Sequence, residues 1–234
     1  MTGQETARVG AGRWRLLLDV AREDGWRRAL DELHADAATD ALVVGPAGHA
    51  LLPVTAHRKA ARVRLGGVVR DRAAGTETVR DTRVPQVVMV RVDGVAPDRG
   101  VDDAGPTGDE EWAVGLAGLR LGLSYALLDA ALAHLGGRQS GDTAVLHQQL
   151  VKGMVADVVV EHLEIRAVLD AAGADGLAWP AVADVHRRIT GADRLLLRLF
   201  GASGYVEDGP GRTAYVSELL ADAYVGPADW GVPA

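Results

Sequence analysis

The chain has 234 residues, no cysteine and a net charge of −7. The lack of cysteine excludes disulfides, thiolate metal sites and a cysteine nucleophile, and an acidic body disfavours general binding to nucleic acid or to anionic membranes. No apolar run approaches the ~18 residues that would span a bilayer, and the first residues lack the apolar core of a secretory signal. We therefore expect a cytoplasmic protein with one large domain or two small ones.

The N-terminal part is expected to be helical. Residues 1–12 are polar and contain glycine, so we expect them to be mobile. Apolar residues recur at helical spacing over 13–37 and predict one helix there. Gly25 lies in the middle of this segment and weakens the prediction, because glycine costs helix stability.

A region of short strands follows the first helix. Apolar, β-branched runs broken by Gly, Pro and Asp are typical of strands and hairpins, and they predict a small, mainly antiparallel β region over 40–97. The predicted runs are 41–44, 49–54, 61–69 and 86–92, the last of them preceded by Val84-Pro85. Residues 98–109 read DRGVDDAGPTGD and predict a polar linker.

The C-terminal half is expected to form a bundle of four helices. Helical patterns with short connections predict an antiparallel bundle, with helices over 110–135, 146–172, 179–200 and 213–225. Gly115, Gly118 and Gly122 would let another helix approach the first of these closely. The expected fold class is α+β, divided into an N-terminal helical segment (1–39), a β-domain with its linker (40–109) and a bundle (110–234).

Two stretches of the bundle and one of the β region carry a family likeness. The first stretch is RQSGDTAVLHQQLVKGMVAD over 138–157, with Arg138, Gln149, Lys152 and Ala156-Asp157 at characteristic offsets. The second is FGASGYVEDGPGRTAY over 200–215, which is similar to a Gly-Gly-x-Gly-Tyr-x-Glu-Asp-x-Pro loop. The phrases ADALVV and VRVDGV lie in the β region. Together these stretches resemble the acyl-CoA dehydrogenase family over about residues 36–226.

The resemblance implies a fold, a cofactor and a reaction. It implies a β-domain followed by a four-helix bundle, assembled as dimers or tetramers with FAD bound between subunits. A glutamate would remove the α-proton of an acyl thioester while the flavin accepts the β-hydride. Arg138 would meet the FAD pyrophosphate of a neighbouring subunit, and Gln149 with the turn from Gly201 to Gly204 would approach the nucleotide. The alternatives are a solvated Arg138, a Gly201 that merely ends a helix, and solvated loop acids at 207–208.

The residues expected to do the chemistry are only partly present. The usual position of the catalytic glutamate corresponds to Val225, which cannot remove a proton. A second family position for the base, on the first bundle helix, corresponds to Trp112, and neighbouring Glu111 is a candidate base. The alternative for Glu111 is a carboxylate favoured by the helix macrodipole. The family's flavin motif in the β-domain and most of its N-terminal helical domain have no counterpart here.

Three hypotheses follow from the sequence. The first is an acyl-CoA dehydrogenase-like subunit that binds FAD only at an interface, with a full-length partner subunit or with itself. The second is a flavin-free protein on the same scaffold, either a repurposed enzyme or a structural subunit. The third is a helical interaction module without enzymatic activity. His147 and His162 are too far apart on one predicted helix to share a metal ion, so no metal site is predicted.

Overall fold

A computed structural model of the chain describes residues 3–35, 40–72, 77–93, 110–172, 177–206 and 209–225. Over these residues the protein has the predicted α+β fold, with N-terminal helices, two small three-stranded sheets and a helical C-terminal half. The predicted linker and the loop acids at 207–208 lie outside the described residues. The division of the chain at 39 and 109 stays a prediction.

The N-terminal helices differ from the expectation. Helix α1 spans Gly3–Glu23 and α2 spans Gly25–Leu33, so α1 begins ten residues earlier than the predicted helix, and the single predicted helix is two helices. The chain turns at Gly25, whose φ of +82° is readily adopted only by a residue without a Cβ atom. The first turns contain good helix formers such as Glu5, Ala7 and Arg8, which extend a helix that is already anchored by packing.

The strands form two sheets. The first sheet has the order β1-β3-β4 and the second the order β2-β6-β5. Strand β1 runs parallel to β3, and the other neighbours in both sheets are antiparallel. The bounds are Ala41–Val43 for β1, His49–Pro53 for β2, Arg62–Leu65 for β3, Val68–Asp71 for β4, Glu77–Asp81 for β5 and Val87–Val92 for β6.

Several predicted strand limits were wrong. The run at 61–69 is a hairpin of β3 and β4, because Gly66 and Gly67 both have positive φ and form a two-residue turn. The last strand begins at Val87, one residue after the start of the predicted run. Strand β5 was not predicted, since ETVRD is polar and exposed, and the short helix α3 (Val54–Lys59) was also missed.

The four predicted bundle helices are present and pack against one another. They are α4 (Glu110–Gly136), α5 (Gln149–Ala172), α6 (Trp179–Phe200) and α7 (Pro210–Tyr224). Helix α4 contacts the other three, and α6 contacts both α5 and α7. A small hairpin, β7 (Gln139–Ser140) with β8 (Thr143–Ala144), and a 3-10 turn (Val145–His147) join α4 to α5, so α5 begins three residues later than predicted.

Helix α1 lies along α4, and glycines make this contact possible. A Cβ atom on Gly118 would lie 2.3 Å from the carbonyl oxygen of Trp14, and one on Gly122 would lie 2.2 Å from that of Leu18. The predicted close helix approach is therefore confirmed for these two glycines. Among the described residues one helix, α4 from Glu111 to Gly136, is long and apolar enough to cross a membrane, but 67% of its most apolar window is buried inside the protein.

Candidate functional site

The residues proposed to hold FAD lie at one end of the bundle. Arg138 follows the end of α4, Gln149 begins α5, and Gly201 follows the end of α6. The ring of His134 in the last turn of α4 is 5.5 Å from that of Phe200 at the end of α6. Leu146, just before α5, packs in the same apolar cluster as Phe200. We call this the Arg138 end of the bundle.

The side chains at the Arg138 end face solvent. Arg138 and Gln149 are both exposed, and Nη1 of Arg138 donates to Nε2 of His134 at 3.3 Å. A guanidinium offers two parallel donors to a phosphate, which suits it to a pyrophosphate. This end therefore carries donors for an anion at the surface, and a pyrophosphate group fits them.

The two glycines at this end, Gly201 and Gly204, differ in their surroundings. Gly201 is the C-cap of α6 with φ of +56°, and its N–H donates to the carbonyl of Arg198. It is exposed, and a Cβ atom there would meet nothing within 4 Å. Gly204 is buried, and a Cβ atom there would lie 3.1 Å from Cβ of Phe200. Only Gly201 therefore presents backbone that a ligand could approach.

The positions expected for a catalytic base lie together at the opposite end of the bundle. Trp112 is in the first turn of α4, Val225 directly follows α7, and the rings of Trp112 and Tyr224 are 5.7 Å apart. Trp112 is buried, whereas Glu111 beside it is exposed. We call this the Trp112 end. It brings the two base positions into one place, but neither holds a carboxylate.

Aromatic packing fills the Trp112 end. The ring of His34 meets Trp112 edge-on at 4.9 Å. The hydroxyl of Tyr224 donates to the carbonyl of Leu51 at 2.9 Å and accepts from its N–H at 3.2 Å. Burial raises the pKa of Tyr224 above its ordinary value, and burial lowers the pKa of His34 to about 4. Both groups are therefore neutral at neutral pH.

The two ends are too far apart to serve one ligand within one chain. Helix α4 has 27 residues, and at ~1.5 Å per residue it is ~40 Å long. Glu111 is near its start and Arg138 lies just beyond its end.

A cluster of buried polar side chains in the middle of the bundle was not predicted. Arg120 of α4 is fully buried, and its Nε donates to Oγ of Ser217 at 3.1 Å. Its Nη2 donates to Oγ1 of Thr190 at 2.7 Å, and its Nη1 donates to Nδ1 of His186 at 2.9 Å. The hydroxyl of Ser217 then donates to Oδ2 of Asp193 at 2.9 Å. We call these five residues the Arg120 cluster.

The electrostatics of the Arg120 cluster follow from burial. Burial raises the pKa of Asp193 to about 6, against the opposing effect of Arg120. Burial lowers the pKa of Arg120 to about 10, and burial together with Arg120 lowers the pKa of His186 well below its ordinary value. Because Nδ1 of His186 accepts from Arg120, the neutral ring carries its proton on Nε2. The sequence signal was an arginine alone in an apolar helix, the only charged residue between 112 and 128.

No metal site is apparent in the described part of the chain. No group of three or more His, Asp or Glu side chains there could hold a metal ion. His147 lies in the 3-10 turn before α5, whereas His162 is buried within α5 and hydrogen-bonds with Oγ of Ser124 at 2.8 Å. The two histidines therefore have separate surroundings.

Comparison with known proteins supports the fold. No family model and no curated protein matches the chain. Among solved structures, a variant of the Tcur3481-Tcur3483 steroid ACAD has a TM-score of 0.56 at 18% identity over 77% of this chain and 57% of that one. Glutaryl-CoA dehydrogenase from Mycobacterium smegmatis in complex with FADH2 has a TM-score of 0.53 at 15% identity over 88% and 60%. Butyryl-CoA dehydrogenase from Megasphaera elsdenii has 0.51 at 14% over 80% and 59%.

These likenesses show a shared fold. The chain has an acyl-CoA dehydrogenase-like α+β fold over most of its length, as the sequence resemblance predicted. It spans about three fifths of the length of the solved structures that it matches. At these identities the likeness shows the fold alone and does not show an activity.

Proposed function

We propose that this chain is an acyl-CoA dehydrogenase-like subunit that takes part in the FAD-linked α,β-dehydrogenation of an acyl thioester. It acts in the cytoplasm with a full-length neighbouring subunit and contributes the Arg138 end to FAD bound between the two chains. The observation that carries the proposal is the separation of ~40 Å along α4 between the anion donors and the base positions.

The residues at the Arg138 end would bind and orient the cofactor. The guanidinium of Arg138 would hold the pyrophosphate through two charge-assisted hydrogen bonds. The side-chain amide of Gln149 would donate to the nucleotide, and the exposed backbone at Gly201 would allow a close approach. FAD, when bound, supplies the acceptor for the hydride.

The base would come from the neighbouring subunit. Removal of a thioester α-proton needs a carboxylate within hydrogen-bond reach of the substrate. Val225 has no such group, Trp112 is packed against Tyr224, and the candidate base Glu111 faces solvent. A second copy of this chain would bring the same residues, so a non-identical neighbour fits better than self-association.

Flavin content tests the proposal. The tagged chain is purified alone and as the complex that it forms in its source cells, and flavin absorbance is measured per chain. We expect a colourless chain alone and a yellow complex. Arg138→Ala in the complex should weaken FAD binding by ~10- to 100-fold, because hydrogen bonds to charged groups contribute ~1.5–3 kcal/mol.

The controls separate the charge of Arg138 from its geometry. Arg138→Lys keeps the charge and loses the fork, so it should bind FAD with intermediate affinity. Arg28→Ala removes an exposed arginine of α2 that pairs with Glu32 one turn away, and it should leave FAD binding unchanged. Stoichiometric FAD on the isolated chain, or a colourless complex, would show the proposal to be wrong.

A flavin-free structural subunit is the second candidate. The observation that favours it is the aromatic packing of the Trp112 end, which fills the position of the base with Trp112 and Tyr224. This candidate predicts a complex whose flavin content and acyl-CoA oxidation do not change with Arg138→Ala.

A further inference from the structure

The side chain of Arg138 has a single hydrogen-bond partner in the described part of the chain. That partner is His134, one turn earlier on α4, whose Nε2 lies 3.3 Å from Nη1 of Arg138. Asp142 follows four residues later in the sequence, but no carboxylate of the described residues pairs with Arg138. The guanidinium therefore keeps its charge available for an anion from outside the chain.

The backbone of Arg138 is held on both sides. Its N–H donates to the carbonyl of Leu135 at 3.3 Å, and its carbonyl accepts from the N–H of Val145 at 2.9 Å. The end of α4 and the 3-10 turn before α5 thus fix the peptide at this position. Only the exposed side chain is left to be oriented, and the contact that orients it is the one with His134.

The ring of His134 is anchored in turn by the end of α6. It is half-buried, and it lies 5.5 Å from the ring of Phe200 at an angle of 47°. Phe200 is buried and directly precedes Gly201, the exposed glycine at the Arg138 end. Two ring contacts therefore connect the guanidinium of Arg138 to the turn that begins at Gly201.

The hydrogen bond to His134 leaves most of the guanidinium free. A guanidinium has five N–H donors and no acceptor, so Nε2 of His134 must accept, and the ring proton is assigned to Nδ1. One donor of Nη1 is used in this bond. The Nε and Nη2 donors, which form one fork of Arg138, remain for the two parallel hydrogen bonds that a phosphate accepts.

We infer that His134 is a positioning residue that holds the guanidinium of Arg138 ready for a phosphate-bearing ligand and fixes it relative to the Gly201 turn through Phe200. A long side chain that is ordered before binding loses less conformational entropy when the ligand binds. The inference rests on the proposed function only for the identity of the ligand as FAD. If His134 merely packed on Phe200 or complemented the dipole of α4, its loss would change stability and leave anion affinity unaltered.

Two substitutions of His134 separate its acceptor from its packing. His134→Phe keeps a ring against Phe200 and removes the acceptor, whereas His134→Gln keeps an acceptor. The control is His49→Phe on β2, the same exchange near Leu51, which bonds with Tyr224 at the Trp112 end. Folding of each full chain is checked by circular dichroism.

Two measurements on the isolated full chain test the inference. The affinity for inorganic pyrophosphate is measured by calorimetry. The order parameter of the Nε–H group of Arg138 is measured by NMR without ligand, with the signal identified by its loss in Arg138→Ala. His134→Phe should weaken pyrophosphate binding ~2- to 10-fold and lower the order parameter. His134→Gln should restore most of both, and His49→Phe should change neither.

The double variant shows whether His134 acts through Arg138. In the Arg138→Ala background, His134→Phe should cause no further loss of pyrophosphate affinity. An unchanged affinity and order parameter in His134→Phe would overturn the inference, and so would a wild-type chain that does not bind pyrophosphate.

Flavin content of the complex distinguishes this inference from the proposed function. If His134→Phe weakens pyrophosphate binding but the wild-type complex is colourless, the positioning role stands and the proposed FAD role is wrong. A yellow complex that loses flavin with Arg138→Ala but not with His134→Phe, together with an unchanged order parameter, would overturn the positioning role and leave the proposed function standing.

Discussion

Arg120 and Asp193 are both buried and are linked through the hydroxyl of Ser217, and we expect their contributions to the stability of the bundle to be coupled. The substitution Arg120→Met removes the guanidinium from α4 and leaves Asp193 buried without its cation. Four hydrogen bonds of Arg120 are lost, to Ser217, to Thr190 and to two atoms of His186. Breaking a buried charge pair from one side costs ~3–5 kcal/mol, because the remaining charge is left uncompensated. We expect a loss of that size in the free energy of unfolding at pH 7.5.

The double variant separates the pair from its surroundings. Arg120→Met combined with Asp193→Leu removes both charges, so no uncompensated ion remains in the core. The double variant should therefore be ~1–3 kcal/mol more stable than the sum of the two single losses predicts, which is the coupling range for groups in one network. Urea unfolding followed by circular dichroism measures all four proteins. Additive losses within ~0.5 kcal/mol would refute a coupled pair.

Because Asp193 titrates near pH 6, the loss of stability caused by Arg120→Met should depend on pH. Its folded pKa of about 6 lies above the unfolded value, so its protonated form stabilises the fold, and this contribution is lost as pH rises through 6. In Arg120→Met the carboxyl can protonate at mild acid and shed its charge. The loss caused by Arg120→Met should therefore be smaller at pH 5 than at pH 7.5, and an equal loss at both pH values would contradict the assignment.

Three further predictions concern helix packing and pH. Gly122→Val should destabilise the chain by at least ~1–3 kcal/mol, because even its Cβ atom would strike the backbone of α1. Gly153→Ala, where a Cβ atom meets nothing, should stabilise it by ~0.5–1 kcal/mol in urea unfolding. Burial lowers the pKa of His34 and His162 to about 4, so each contributes stability above pH 6.5 that is lost as pH falls through 4, up to ~3 kcal/mol per group. The midpoint temperature of thermal unfolding should fall less steeply with decreasing pH in His162→Gln than in the wild type. An unchanged dependence on pH would show that buried His162 is not its source.

The long helices were predictable because the spacing of apolar residues and the residues that begin and end each helix lie within its own sequence. Helix α6 was predicted with both ends correct, since Pro180 suits its first turn and Gly201 ends it. Gly118 and Gly122 indicated a close contact with another helix, but the sequence did not show that this helix is α1. The exposed strand β5 gave no signal, because a polar edge strand resembles a loop in composition.

The sequence alone could not show which distant residues come together at each end of the bundle and in the Arg120 cluster. The positions Trp112 and Val225 are more than a hundred residues apart in the sequence, and only the antiparallel packing of α4 and α7 brings them to one end. The Arg120 cluster draws residues from three helices, and no single helix contains enough of it to reveal a network. Spacing within a helix assigns residues to faces, but the pairing of faces depends on contacts between distant segments.

The Arg120 cluster also bears on how the two ends of the bundle keep their positions. Arg120 lies between Trp112 and the end of α4, and its donors reach Thr190 and His186 on α6 and Ser217 on α7. An apolar contact tolerates a shift of one helix along another, whereas these directional bonds are lost if α6 or α7 moves by one turn. The cluster thus fixes the register of α6 and α7 on α4. Because Gly201 ends α6 and Val225 follows α7, that register places the Gly201 turn at the Arg138 end and Val225 at the Trp112 end. A substitution in the Arg120 cluster should therefore weaken the proposed ligand binding at the Arg138 end and also destabilise the fold, although no cluster residue lies at that end.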